Sequence, residues 1–354
     1  TVIKATILGG NIAGLVTGML LAEKGAEVEI YERRITWDKP CGGMMDTRYV
    51  NWLEKHNVFF EDKYTTPEYV FVINKRKYPI KINPPIQHLL NRQEIQEKLM
   101  KIVKDLGGEI KNTIITMENL PDLTNEADFV VVALGHSKLS WTLLNRTYAT
   151  DEKLVCRLAE IPVDLQLPII FATWTNTIGY GWVFPKPGRV NIGYGHPIDF
   201  GIPLRVGFDK FINELNECLD LDLTVEKSLI RGGKLPADVN TLEKPFFSNQ
   251  DGKLFVGVGD AIGLANPING GGMCNAIKSA RALVTSLNGK TIDSHKYSTL
   301  LIDELGREWK DAKKNRGRIK RISQNRLLRP LTGSALALFG RFLVPRLYRK
   351  AIAH

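Results

Sequence analysis

Residues 3–32 read IKATIL, GGNIAG, LVTGMLLAEK and, after Gly25-Ala26, EVEIYE; this order of strand, glycine turn, helix and strand decides the fold. The run Ile3-Lys4-Ala5-Thr6-Ile7-Leu8 is apolar in the manner of a strand in a parallel sheet covered on both faces. Gly9, Gly10, Asn11, Ala13 and Gly14 belong to the turn. Glycine there lets backbone come close to a pyrophosphate, and the helix that follows offers free N–H groups and the positive end of its dipole. Glu32 stands 18 residues past Gly14, near the spacing at which an acid accepts from ribose hydroxyls. One position departs from the G-x-G-x-x-G pattern, since Asn11 holds the place of the middle glycine. Asn tolerates positive φ better than most residues, so the turn is expected to survive with an altered approach to phosphate. Strand, turn, helix and acid in this order point to a nucleotide site rather than to an ordinary βαβ unit.

The 354 residues suffice for two domains or for one large domain with insertions, and the 44% apolar share suits a globular protein with a substantial core. The first apolar run is the strand just described, so no signal peptide is expected. No run of about 18 apolar residues predicts a membrane span. Cys41, Cys156, Cys218 and Cys274 are scattered and the six histidines dispersed, so neither a metal site nor a disulfide framework is expected, and a reducing cytoplasm is the natural setting. The net charge of +10 is located at one end of the chain. Residues 305–354 carry 14 Lys/Arg against 2 Asp/Glu, leaving 34 basic and 36 acidic groups in the first 304 residues. This excess bears on partners rather than on fold.

Further along, Lys39-Pro40-Cys41-Gly42-Gly43 reads as a loop and 47–56 as a helix. Alternation over 67–82 around Asn74-Lys75 signals a hairpin. Ile95, Leu99, Ile102 and Leu106 give a helix over 92–106, stopped by Gly107-Gly108. Residues 127–134 form a buried strand closed by Gly135. The segments 154–161, 168–174, 178–184 and 189–195 are short, β-branched and aromatic, and suggest an antiparallel sheet. A helix is expected over 205–219, a buried strand over 253–260 and a helix over about 273–287. The nucleotide domain is therefore discontinuous, comprising 1–60, 88–150 and 250–290, with a sheet domain of 61–87 and 151–249 inserted and a basic helical segment over 291–354.

A second chemical signal is Gly259-Asp260, followed by Asn266-Pro267-Ile268-Asn269-Gly270-Gly271-Gly272-Met273. An acid at a strand end accepts from a ribose or ribityl hydroxyl. Glycines that open a helix offer bare N–H groups to a phosphate or an electron-rich ring edge. A third is Tyr180-Gly181-Trp182-Val183-Phe184-Pro185-Lys186, in which Tyr180, Trp182 and Phe184 alternate and so face one way on a strand. Spacing alone leaves open whether that row is core or the wall of a cavity.

Together the Gly9–Gly14 turn with Glu32, the Cys41 loop, the Tyr180–Pro185 stretch (Y-x-W-x-F-P) and the Gly259-Asp260 and 266–272 loops resemble the geranylgeranyl reductase family of FAD enzymes. That family lies within the larger group shaped like p-hydroxybenzoate hydroxylase. The resemblance spans about residues 1–290. It implies an α/β fold with a discontinuous Rossmann-like FAD-binding domain, an inserted antiparallel sheet domain for substrate and a basic helical tail. It implies contact with FAD for Gly9, Gly10, Asn11, Ala13, Gly14, Glu32, Arg33, Cys41, Gly42, Gly259, Asp260, Gly270, Gly271, Gly272 and Met273. Arg48 resembles the arginine that touches the FAD pyrophosphate in the larger group, and Arg92 is an alternative to it. Tyr180, Trp182, Phe184 and Pro185 are expected to line a substrate cavity, and Cys41, Tyr180 and Trp182 to serve the chemistry. Cys41 is otherwise a small buried residue. The larger group usually has Asp-Gly after the strand that ends here at Ala133. This chain has Leu134-Gly135-His136, which places direct reduction by NAD(P)H in question.

The implied activity is reduction of isoprenoid double bonds on a lipid or a diphosphate, with NAD(P)H or ferredoxin as electron donor. A flavin monooxygenase, a quinone side-chain reductase and a non-catalytic flavoprotein are the alternatives. Past Arg307 the basic residues cluster, and apolar residues recur after Pro330 at helical spacing. Such a segment suits an anionic membrane interface, peripheral to a cytoplasmic protein, and it carries no nucleic-acid motif.

Overall fold

The computed structural model describes residues 2–36, 39–147, 153–173, 179–198 and 203–324. The opening strand, Lys4–Leu8, is buried along its last four residues and takes an inner place in a six-stranded sheet. It pairs in parallel with Glu27–Glu32 on one side and Phe129–Val132 on the other. Glu109–Asn112 and Lys253–Gly257 extend the two flanks, also in parallel. Phe247–Gln250 closes one edge antiparallel, through a turn at Asp251 and Gly252 that both hold positive φ. This is the Asp-Gly hairpin turn whose twist suits flanking strands.

The first helix, Ile12–Glu23, is apolar on nearly every side, as a helix enclosed by neighbours must be. Leu15, Val16, Met19 and Leu21 are fully buried. It packs against Arg92–Asp105 and Met273–Thr285 and ends where Gly25 takes φ +78°. Arg92–Asp105 is capped by the Asn91 side chain and buries Ile95, Leu99 and Val103 at the expected period.

The second sheet has seven strands, in the order Arg231–Pro236, Lys153–Ile161, Arg189–Pro197, Tyr180–Lys186, Ile169–Thr173, Glu68–Ile73 and Arg76–Lys81. One pair departs from the antiparallel pattern, since Glu68–Ile73 runs parallel to Ile169–Thr173. These two strands lie far apart in sequence, so no tight turn dictates their relative direction. The helix Leu204–Leu219 covers one face of this sheet with Phe208, Phe211, Ile212 and Leu215. A Cβ at Gly181 would fall 2.1 Å from the Phe211 ring, so glycine is what lets the helix close on the strand.

Several short elements escaped the sequence reading, among them Glu109–Asn112, Arg231–Pro236 and Phe247–Gln250. Met44–Asp46, Gln87–Leu90 and Lys63–Tyr64 pair into a small sheet, and strands so short carry no readable alternation. The last described helix, Ser294–Gln324, falls within the basic helical segment expected over 291–354, but its first half is core. Tyr297, Leu301, Leu305, Trp309 and Ala312 are buried on one side of it. The apolar positions noted after Pro330 lie outside the described residues. No helix of the described residues is long and apolar enough to cross a membrane.

Candidate functional site

The glycine turn is packed backbone against backbone. Gly9 holds φ +105°, and a Cβ there would stand 2.4 Å from the Ala133 carbonyl oxygen. A Cβ at Gly14 would stand 2.0 Å from the Gly9 oxygen. The expectation for Asn11 needs correction. Its φ is −83°, so the middle position demands no left-handed backbone. Asn11 is the helix N-cap instead, accepting from the N–H of Ala13 at 2.9 Å and of Gly14 at 3.4 Å, while its amide donates to the Ala133 carbonyl. Gly10 N–H donates to Glu32 Oε2 at 2.7 Å, which holds the buried acid against the turn. Glu32 Oε1 accepts from Arg34 N–H at 3.0 Å. Arg33 is exposed.

The helix Arg92–Asp105 supplies a buried cation. Arg92 Nη1 donates to Gln96 Oε1 at 3.0 Å, and the Gln96 amide donates to the Gly10 carbonyl. Helix and glycine turn are thereby tied together. Burial pushes the Arg92 pKa down to about 10, while Cys41 and Asp260 nearby favour the charged form. Arg48 is placed differently. Its side chain is 62% exposed and its guanidinium grips Asp46 with two bonds, at 3.0 and 2.9 Å.

The second glycine loop meets the first turn. Gly259 holds φ +59°, and a Cβ there would fall 2.8 Å from Ala13 Cβ. Asp260 lies beside it, 3.8 Å from Lys39 Nζ. The loop 266–272 is laced by Asn266, whose Oδ1 accepts from Ile268 and Asn269 N–H and whose amide reaches Glu308. Arg316 donates to the Pro267 carbonyl at 2.9 Å, so the long helix also holds this loop. Gly272 opens the helix Met273–Thr285 with no side chain capping it, which leaves its first N–H groups to other acceptors. Gly270 at φ +72° and Gly271 shape the approach.

The Cys41 loop lies across the second sheet, on the face opposite the helix Leu204–Leu219. A Cβ at Gly42 would meet the Phe184 ring at 2.9 Å. Tyr180, Trp182 and Phe184 point to this face, with ring centroids 5.6 and 6.1 Å apart. Phe171 joins Phe184 at 5.6 Å and Phe71 joins Phe171 at 5.4 Å, so the row runs over three strands. Gly193 leaves room for the indole, since a Cβ there would fall 2.1 Å from it. Alternation turns Pro185 to the other face, with Val183, away from this row. The Tyr180 hydroxyl donates to the Asn269 carbonyl, and burial raises its pKa, so the proton stays on the phenol. Cys156 lies on the same face, its thiol pKa raised chiefly by burial, within electrostatic reach of Cys41.

Past the end of Phe129–Val132, Leu134-Gly135 leads to His136. It packs edge-on against Trp141, with centroids 4.9 Å apart. Burial first, and then Lys153, bring its pKa down to about 4 against an upward pull from Asp260, so it is neutral at pH 7.

Sequence reasoning assigned no site role to Gln96, Cys156, Phe71, Phe171 and Asn191. A lone polar or aromatic residue outside a motif carries no local signal, and each acquires its place from distant chain. The residues present fit an FAD. A cradle that Cβ atoms would fill, a buried guanidinium, two acids and an uncapped helix N-terminus converge on one region.

No protein-family model matches the chain. It is 31% identical over 162 residues to a digeranylgeranylglycerophospholipid reductase of Thermoplasma volcanium, a match covering 44% of this chain and 37% of that protein. The match thus spans little more than a third of the curated relative's length. In fold it is similar to a geranylgeranyl bacteriochlorophyll reductase-like protein of Thermoplasma acidophilum, with a TM-score of 0.68, 21% identity and coverage of 92% of this chain and 88% of that one. A probable FAD-dependent monooxygenase of Pseudomonas aeruginosa shares the fold at a TM-score of 0.63 and 12% identity, covering 92% and 96%.

Proposed function

We propose that this chain, which resembles the geranylgeranyl reductase family of FAD-dependent oxidoreductases in motif, sequence and fold, hydrogenates C=C bonds of geranylgeranyl chains on a lipid or a diphosphate. Residues 1–60, 88–150 and 250–290 form the cofactor half, 61–87 and 151–249 the substrate half and 291–354 the basic segment. The observation that carries this reading is the aromatic face of Tyr180, Trp182, Phe184, Phe171 and Phe71, with the Cys41 loop lying across it beside Arg92 and Asp260. Trp182 and Phe184 are buried beneath the loop, and the half-buried rings of Tyr180, Phe171 and Phe71 offer the apolar contact that suits an isoprenoid chain.

Bound FAD supplies the hydride. The chain's own part is to hold and to exclude. Arg92 and the positive end of the helix that the Gly9–Gly14 turn opens would take the pyrophosphate, the N–H groups of Gly10, Ala13 and Gly14 being committed to Glu32 and Asn11. Glu32 and Asp260 would accept from hydroxyls, and the N–H groups of Gly272 and Met273 would be offered to the ring edge, that of Gly271 being committed to Asn269 Oδ1. An isoprenoid double bond is unactivated, so a proton must reach one carbon as hydride reaches the other. Two sources fit, the Cys41 thiol and a water near Tyr180, whose own hydroxyl is committed to Asn269. The aromatic row keeps bulk water from the reacting carbons.

The test is anaerobic incubation of the dithionite-reduced protein with a geranylgeranyl lipid, followed by mass spectrometry. Gain of one H2 per double bond supports the reading, and an unchanged lipid overturns it. The monooxygenase neighbour favours a second reading, which oxygen-dependent NAD(P)H consumption with an aromatic substrate would support. NAD(P)H and ferredoxin both remain candidates for the electron donor. Lys310, Lys314 and Arg318 are exposed on the long helix and suit an anionic membrane surface from which a lipid substrate is drawn.

A further inference from the structure

Four side chains that this chemistry leaves unused, or uses only for their rings, meet beneath the Cys41 loop. The strand register sets Glu160, Asn191 and Phe184 in one row across three strands. Trp182 and Lys186 flank that row on the same face. The Trp182 indole N–H donates to Asn191 Oδ1 at 2.7 Å. An indole nitrogen only donates, so this bond decides which end of the amide faces it. The amide nitrogen turns the other way and donates to Glu160 Oε1 at 2.8 Å and to the Cys41 carbonyl at 3.3 Å. Lys186 Nζ donates to the same Glu160 oxygen at 2.8 Å. Asn191 is fully buried and Lys186 nearly so. A Cβ on Gly43 would stand 3.0 Å from Lys186 Nζ, so the ammonium lies against the backbone of the loop.

We propose that Asn191 is the positioning residue for Cys41. The Lys186–Glu160 pair orients the amide, and the amide holds the Cys41 peptide and the Trp182 indole at once. Thiol and aromatic wall therefore keep one spacing, and a shift of either is passed to the other. The consequence for turnover rests on the reductase reading of Cys41. The positioning itself is read without turnover, so the two failures are distinguishable.

The experiment follows alkylation of each thiol by iodoacetamide in the FAD-loaded protein, peptide by peptide, with Cys218 on the helix Leu204–Leu219 as internal reference. Asn191→Asp keeps the shape and the acceptor for Trp182 but removes both donors. Loss of one hydrogen bond to the loop raises the Cys41 rate about fivefold to tenfold relative to Cys218. That variant also sets a second carboxylate beside Glu160, so it is paired with Glu160→Gln/Asn191→Asp, which restores one carboxylate and one donor between the two positions. The double variant is expected to regain its unfolding midpoint while Cys41 stays fast. A wild-type Cys41 rate in either variant, or a rate that returns together with stability in the double variant, overturns the proposal. A variant with fast Cys41 alkylation in a protein that reduces no alkene in any form leaves the positioning intact and removes only the reductase reading.

Discussion

Alanine at Gly14 tests the packing on which the cofactor cradle depends. Its Cβ would stand 2.0 Å from the Gly9 oxygen and 3.1 Å from Ala133 Cβ. The first contact lies about 1 Å inside any approach that a real Cβ makes, and the obstacle is backbone of the same turn, which has no rotamer to change. The helix Ile12–Glu23 must then move off the strand Lys4–Leu8. Overpacking of this kind costs about 1–3 kcal/mol, and a backbone obstacle puts it at the upper end. Helix propensity returns at most about 1 kcal/mol. The net loss is about 2 kcal/mol, roughly thirtyfold in the folded-to-unfolded ratio. Gly18→Ala is the control, four residues on in the same helix. Its Cβ would meet Ile30 Cδ1 at 2.7 Å and Ile7 Cδ1 at 3.3 Å, the ends of flexible side chains. That variant is expected within about 1 kcal/mol of the parent, since propensity offsets the crowding. Urea unfolding gives the midpoints, and quenching of flavin fluorescence gives FAD affinity. Equal midpoints and equal FAD affinity in the two variants would refute the reasoning.

Three other outcomes are expected. Arg92→Met should weaken FAD binding by about 1.5–3 kcal/mol, roughly tenfold to a hundredfold. Arg48→Met, at an exposed pair with Asp46, should cost less than about 1 kcal/mol, and equal losses in one titration would place the pyrophosphate elsewhere. For His136 the folded pKa of about 4 lies below the ordinary 6.5. Between these values the unfolded chain binds a proton that the folded one does not, so stability rises with pH across that window and falls as pH drops through it. His136→Gln should flatten that part of the profile, which thermal midpoints at successive pH values would show. Tyr180→Phe removes the bond to the Asn269 carbonyl, and amide exchange over 266–272 should quicken about fivefold, as hydrogen-exchange mass spectrometry would record.

The strand–turn–helix of residues 3–32 was legible because its signals are local. Buried strands, a helix period and a glycine turn depend on residues a few positions apart, and the structure reproduces each. The hairpin at Asn74-Lys75 was readable for the same reason, since both residues hold positive φ in the turn. The alternation of Tyr180, Trp182 and Phe184 told that they share a face, but not which face looks toward the Cys41 loop. The strand's neighbours decide that, whereas the same alternation puts Pro185 on the opposite face from Phe184.

What the sequence alone determined is therefore the longer, strongly periodic elements and the glycine turn, through sterics and periodicity among near neighbours. Tertiary structure decided the role of Asn11 as a cap, the burial of Arg92 against the exposure of Arg48, and the bond from Asn191 to Cys41 across 150 residues. The physical reason is that a buried polar group takes its meaning from the partner that satisfies it, and that partner is supplied by packing rather than by the adjoining chain.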